Sequence, residues 1–197
     1  MTSLQGARVP PTTYDDLPPP ARAAHDAHTS VARITNMKRT LLHSVPAFEA
    51  LMTWYPLRDT VQAFLGERLT TIFAHAVSSE TDCLICSTFF RRLLIQSGEN
   101  PDRLALDPWE AAVVAFGRKL AVTPYSVPDE VYAPIAARLT REQIVALTAF
   151  GALMVATNVF NNALDVPLDD YLEPFRRPST EQPATSPEVR QGEARHG

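Results

Sequence analysis

The chain has 197 residues, 45% of them hydrophobic, and a formal net charge of -4. That length holds one domain with a sizeable core. The small negative charge and scattered arginines offer no electrostatic basis for a nucleic-acid or anionic-membrane partner, so neither is expected.

The opening stretch MTSLQGARVPPTTYDDLPPPARAAHD lacks the apolar run of a secretory signal. Pro10, Pro11, Pro18, Pro19 and Pro20 interrupt it, and residues 1–28 read as an extended arm. An all-α domain is expected over 29–173. A first helix is predicted over Thr29–His43, stopped by Ser44-Val45-Pro46, with Pro46 suiting the first turn of a short helix through Trp54. Val61, Phe64, Leu65, Leu69, Ile72, Phe73 and Ala76 recur at helical spacing and predict one helix over Leu57–Ser78. A further helix follows over Asp82–Gln96, with Gly98 as its C-cap. Asp107-Pro108 pairs an N-cap with a proline at the first helical position and opens a helix to Ala121. Pro128-Asp129-Glu130 opens another, ending near Leu139.

Thr140-Arg141-Glu142-Gln143 has the pattern of a capping box and starts a long helix to Ala163. Its run IVALTAFGALMVATNVF is slightly short for a membrane span and contains Thr148, Gly151, Thr157 and Asn158. It reads as a helix buried in a core or subunit interface, giving a homo-oligomer with no membrane partner. A cytoplasmic location is expected, where thiols are normally kept reduced. Residues 174–197 are polar and proline-bearing and read as a disordered tail. No segment alternates with period two for long enough to argue a sheet.

The chemistry concentrates in ETDCLICSTFF. Cys83 and Cys86 are the only cysteines and stand one helical turn apart. The thiolate is the reactive form, and a helix N-terminus stabilises it with free N–H groups and a positive dipole end. A C-x-x-C here can close a disulfide within one turn and reopen it by exchange. Zinc is the competing chemistry, but a structural site needs four ligands and there is no second pair. Two inert core cysteines are the third possibility. Nothing in the chain suggests a Gly-rich phosphate loop or another cofactor motif, and no cofactor or metal is expected.

The stretch ERLTTIFAHAVSSETDCLICSTFFRRLLIQSGENPDRL resembles the carboxymuconolactone decarboxylase family, in particular its AhpD-like peroxidase branch. HSVPAFEALMTWYPL is similar to the helix that precedes this motif, and PDEVYAPIAARLTREQIVALTAFGALMVATNVFNNALDVPL to the family's closing helices. The resemblance spans roughly Arg33 to Leu172. It implies an all-α, AhpD-like helical bundle that forms oligomers. Its cysteine pair would carry out thiol–disulfide exchange with a peroxide or small-molecule disulfide, recharged by a thiol reductant.

In that branch a glutamate before the first cysteine and a histidine after the second relay protons. Those positions fall on Thr71 and Phe90. Neither side chain can act as a base near neutral pH. His75 and Glu67, four residues either side of Thr71, share its helical face, and His75 is the candidate substitute. Glu80 and Asp82 are expected to cap the cysteine helix, where a carboxylate would raise the Cys83 pKa. Asn158, Asn161 and Asn162 read as an interface ladder. Two rivals remain: a lyase acting on a small cyclic acid, as in the family's other branch, and a non-catalytic oligomeric or binding protein that has lost the relay.

Overall fold

The structure is a computed structural model, and residues 6–177 are described below. The described residues form nine α-helices: α1 (Pro19–Thr29), α2 (Asn36–Leu41), α3 (Val45–Met52), α4 (Trp54–Leu65), α5 (Glu67–Glu80), α6 (Leu84–Gln96), α7 (Pro108–Ala121), α8 (Asp129–Arg138) and α9 (Arg141–Ala163). A short 3₁₀ helix, Asp170–Phe175, follows. The all-α expectation holds. Most of the tail expected to be disordered, from residue 178 on, lies outside the described residues, as do residues 1–5.

Two expected helices differ from the observed ones. Of the segment predicted as Thr29–His43, only α2 and the last residue of α1 are helical, and the rest of α1 lies within the arm expected to be extended. The reason is local: Pro18 takes the N-cap position and Pro19 the first turn, where a missing N–H costs nothing, and ARAAHDAH then propagates. The segment predicted as Leu57–Ser78 breaks at Gly66, which adopts φ 80° and separates α4 from α5. A side chain is disfavoured in that conformation. The apolar periodicity runs through the break because both helices face one core.

The arm packs on its own chain. Leu17 and Ala21 join Leu41, Leu42 and Phe48 in a small apolar cluster. The Arg8 backbone N–H donates to the Leu164 carbonyl (2.9 Å), and its guanidinium pairs with Asp165 (2.8 Å).

α5 is the central helix and packs against α4, α6, α7 and α9. Phe73 is fully buried and stacks on Phe150 of α9, with ring centroids 5.9 Å apart. Glycines make room for it. A Cβ on Gly117 of α7 would sit 2.8 Å from the Phe73 ring, and one on Gly151 of α9 would sit 3.1 Å from it. Both predicted capping motifs form: Asp107 with Glu110 opens α7, and Thr140 with Gln143 opens α9. By length and composition α9 is apolar enough to cross a bilayer. Yet Leu147, Phe150 and Met154 are buried, in a helix that packs on α4, α5 and α7.

Candidate active site

The cysteine pair sits where α5 hands over to α6. α5 ends at Glu80, Thr81 follows, and Asp82 turns the chain with φ 50°, a conformation a short polar side chain tolerates. Cys83 is itself the N-cap of α6 and Cys86 lies in its first turn. Glu80 and Asp82 therefore do not cap this helix, contrary to the sequence reading. Asp82 lies outside it, and the Glu80 carboxylate lies 3.9 Å from Arg118.

α9 clamps this turn. The Asn158 amide donates to the Thr81 hydroxyl (2.7 Å), and the Asn162 amide to the Thr81 carbonyl (3.0 Å). Asn161 reaches past them: its Nδ2 donates to Cys86 Sγ (3.3 Å) and lies 3.8 Å from Cys83 Sγ. The asparagines expected at a subunit interface instead fix the cysteine turn within one chain. Sequence reasoning placed the three on one face but missed their target. The available signal was three amides at helical spacing in an otherwise apolar helix.

Both thiols are free, and both are buried, at 0% and 8% exposure for Cys83 and Cys86. Their environments push them apart. A hydrogen bond from the Cys86 thiol brings the Cys83 pKa down to about 7 against the penalty of burial, aided by backbone N–H groups of Cys86 and Ile85 and by the Asn161 amide. The same hydrogen bond, burial and the neighbouring Cys83 charge raise Cys86. As pH rises through about 7 the pair thus passes from two thiols to one thiolate and one thiol, with the remaining proton shared between the sulfurs. The rise expected from the acidic neighbours is not found: burial is what opposes the thiolate of Cys83, and the Cys86 hydrogen bond overcomes it.

The positions of the family's relay carry no base. The Thr71 hydroxyl donates to the Glu67 carbonyl of its own helix (2.9 Å). Phe90 is buried against Phe89, at 5.1 Å, and Trp54, at 6.3 Å. Glu67 is exposed, while Arg68 pairs with Glu99 and Glu110. His75 is half-buried, and no hydrogen bond joins it to either sulfur. Burial, then the charge of Arg91, lowers its pKa to about 4, so it is neutral at pH 7.

Cys86, unlike Cys83, lines a cavity of about 620 Å³. Its walls come from α2, α3, α4, α6, α9 and the 3₁₀ helix, with Trp54, Phe89, Phe90 and Met154 among them. Its polar part holds Lys38, 4% exposed, whose ammonium donates to the Arg33 carbonyl (2.6 Å) and the Tyr55 hydroxyl (2.7 Å). Burial lowers the Lys38 pKa to about 8 and raises that of Tyr55 to about 12.

Comparison with solved structures decides the fold. A cysteine-to-alanine variant of the debrominase Bmp8 bound to 2,3,4-tribromopyrrole superposes with a TM-score of 0.70 at 17% identity, over 89% of this chain and 96% of that one. An alkylhydroperoxidase AhpD core, a peroxidase-related protein from Ralstonia eutropha, gives 0.67 at 18% identity, over 84% and 94%. The fold is AhpD-like. No family model matches the sequence, and no curated protein does. At these identities the AhpD-like likeness concerns architecture. It places the cysteine turn, the clamp from α9 and the cavity on a scaffold shared with a peroxidase-related protein and a debrominase.

Proposed function

We propose that this chain is a dithiol oxidoreductase of peroxidase type, with Cys83 and Cys86 as its redox pair. The observation that carries the reading is the Asn161 amide donated to the sulfurs at a helix N-terminus, beside a cavity that reaches Cys86. The chemistry runs in three steps. The shared proton shifts from Cys86 to Cys83, leaving the cavity-facing sulfur as thiolate. That thiolate attacks a hydroperoxide ROOH and becomes sulfenic acid, while the departing alkoxide takes the proton from Cys83 and leaves as ROH. The Cys83 thiolate then attacks the sulfenic sulfur, and hydroxide leaves and takes a proton from solvent as water. The disulfide is reopened by an external dithiol through exchange. In this reading the proton relay is the thiol pair itself. Asn161 and the helix terminus lower the thiolate's energy in place of the missing base.

Stopped-flow consumption of an alkyl hydroperoxide, with dithiol present, tests this. Asn161→Leu is expected to slow the reaction roughly ten- to hundredfold, the effect of losing a hydrogen bond to a charged group. His75→Ala is expected to leave it unchanged. A rate unaffected by Asn161→Leu but reduced in His75→Ala would transfer the role to the histidine. No peroxide-dependent thiol oxidation at all would favour a non-catalytic binding protein on this fold.

A second reading draws on the cavity, whose 620 Å³ far exceeds what a small peroxide needs. The same pair can reduce a halogenated aromatic ring, as the similarity to a debrominase suggests. The dithiol supplies two electrons, the ring carbon exchanges halogen for hydrogen, and disulfide, halide and a proton are produced. Stoichiometric halide release from a bromopyrrole would support this reading over the first.

A further inference from the structure

The cavity beside Cys86 contains more positive charge than thiol chemistry requires. Arg33, Lys38, Arg58 and Arg92 line it, against Asp169 as the one acidic lining residue. Lys38 is the most informative. An ammonium has three N–H donors. Two are used by the Arg33 carbonyl and the Tyr55 hydroxyl, and the third has no acceptor among the described residues. Keeping a cation 96% buried beside aromatic walls is costly unless an anion completes it. Asp169 fills that role only in part: its charge favours the ammonium, but the two side chains form no direct ion pair. Its Oδ1 accepts the Asn36 backbone N–H (2.9 Å), its Oδ2 has no partner, and burial raises its pKa toward the neutral acid.

The arginines add a second anchor. Arg33 and Arg92 both lie over the Tyr171 ring, 4.5 and 5.4 Å from its centroid. The stack holds two guanidiniums at the cavity wall, suited to bidentate contact with a carboxylate. The rest of the lining is apolar and rich in flat surfaces, including Trp54, Phe89 and Phe90. The volume lies in the range of sites for small organic ligands.

We propose that this cavity binds a small aromatic carboxylate, its acid group held by Lys38 and the Arg33–Arg92 pair and its ring lying among the aromatic side chains toward Cys86. The proposal deepens the redox reading only by placing the ring near the reactive sulfur. Binding itself needs no thiol chemistry.

Calorimetric titration of the full chain tests it with 1-naphthoate, 1-naphthamide and octanoate as probes. Naphthoate is expected to bind at least about tenfold tighter than the isosteric amide, the discrimination one charged hydrogen bond supplies. Octanoate is expected to bind more weakly than naphthoate. Lys38→Met should abolish the preference for acid over amide while amide binding persists, and Arg92→Met should reduce it. The native acid–amide comparison needs no variant and stands if Lys38→Met fails to fold. Equal affinity for acid and amide, octanoate matching naphthoate, or no binding of any probe at millimolar concentration would each overturn the proposal. Repeating the titration in Cys86→Ser separates the two ideas. Naphthoate binding retained there, with native thiols inert to peroxide, would remove the redox reading and leave this one standing.

Discussion

At the scale of single residues, the site rests on opposite treatment of two identical side chains. Cys83, at the N-cap, receives hydrogen bonds that favour its thiolate, whereas Cys86, one turn on, is raised by the same proton and by burial. Reaction of the pair with a disulfide probe should therefore accelerate as pH rises through about 7 rather than nearer the ordinary thiol range. A midpoint near 9 in the native protein, matching that of Asn161→Leu, would show that neither the amide nor the helix terminus acts on the pair. A different residue sets a pH limit on stability. His28 is buried between Phe48 and Tyr55, its Nε2 is unpartnered, and burial followed by the Lys38 charge lowers its pKa to about 4. The folded state thus binds fewer protons than the unfolded chain between the ordinary histidine value and about 4. Its contribution is complete above the unfolded pKa, about 6.5, and is lost as pH falls toward 4. His75 follows the same sign. Thermal denaturation from pH 7 down to 5 should show falling Tm, with a shallower slope in His28→Phe. An unchanged slope would mean that His28 is already solvated in the folded protein.

At the scale of elements, what the sequence made legible was periodicity and caps. The capping boxes at Asp107 and Thr140 and the start of α8 after Pro128 can be read locally, because each depends on residues within one turn. The breaks were harder to see. The apolar face of α4 and α5 continues across Gly66, and only its positive φ reveals the bend that lets both helices reach the same core. Gly66→Ala should destabilise the fold by about 1 kcal/mol, since a Cβ is disfavoured at that φ although nothing crowds it. Chemical denaturation measures this, and an equal or higher midpoint would show that the chain can run straight there. The site was half legible for a related reason. Cys83 and Cys86 are three residues apart and show their relation in sequence, whereas Asn161 reaches the site from 75 residues away through the packing of α9, and Lys38 reaches it from α2. No local pattern encodes such distances.

At the scale of the whole molecule, α9 has buried one side and left another uncovered. Val145 and Val159 are 68% and 54% exposed. With Ala149, Ala152 and Ala156, also exposed, they form an apolar stripe spaced alternately four and three residues apart. That spacing is the seam one helix presents to a copy of itself. The homo-oligomer expected from the apolar length of this helix is accordingly proposed to form through the stripe. Sedimentation at micromolar concentration should give a dimer or larger species that Ala152→Arg converts to monomer. A native monomer, or an assembly indifferent to that charge, would remove the stripe from consideration. The arm is not needed for such an assembly, since Leu17 and Ala21 are already buried against their own chain.

The central claim is that Cys83 and Cys86 exchange two electrons as a pair. Peptide mass spectrometry across a hydroperoxide titration tests it most directly, because one peptide can contain both cysteines. The account predicts loss of two hydrogens from that peptide at the first equivalent of oxidant, fully reversed by dithiol. Thiols that stay reduced throughout, or that gain oxygen atoms without ever forming the disulfide, would contradict it.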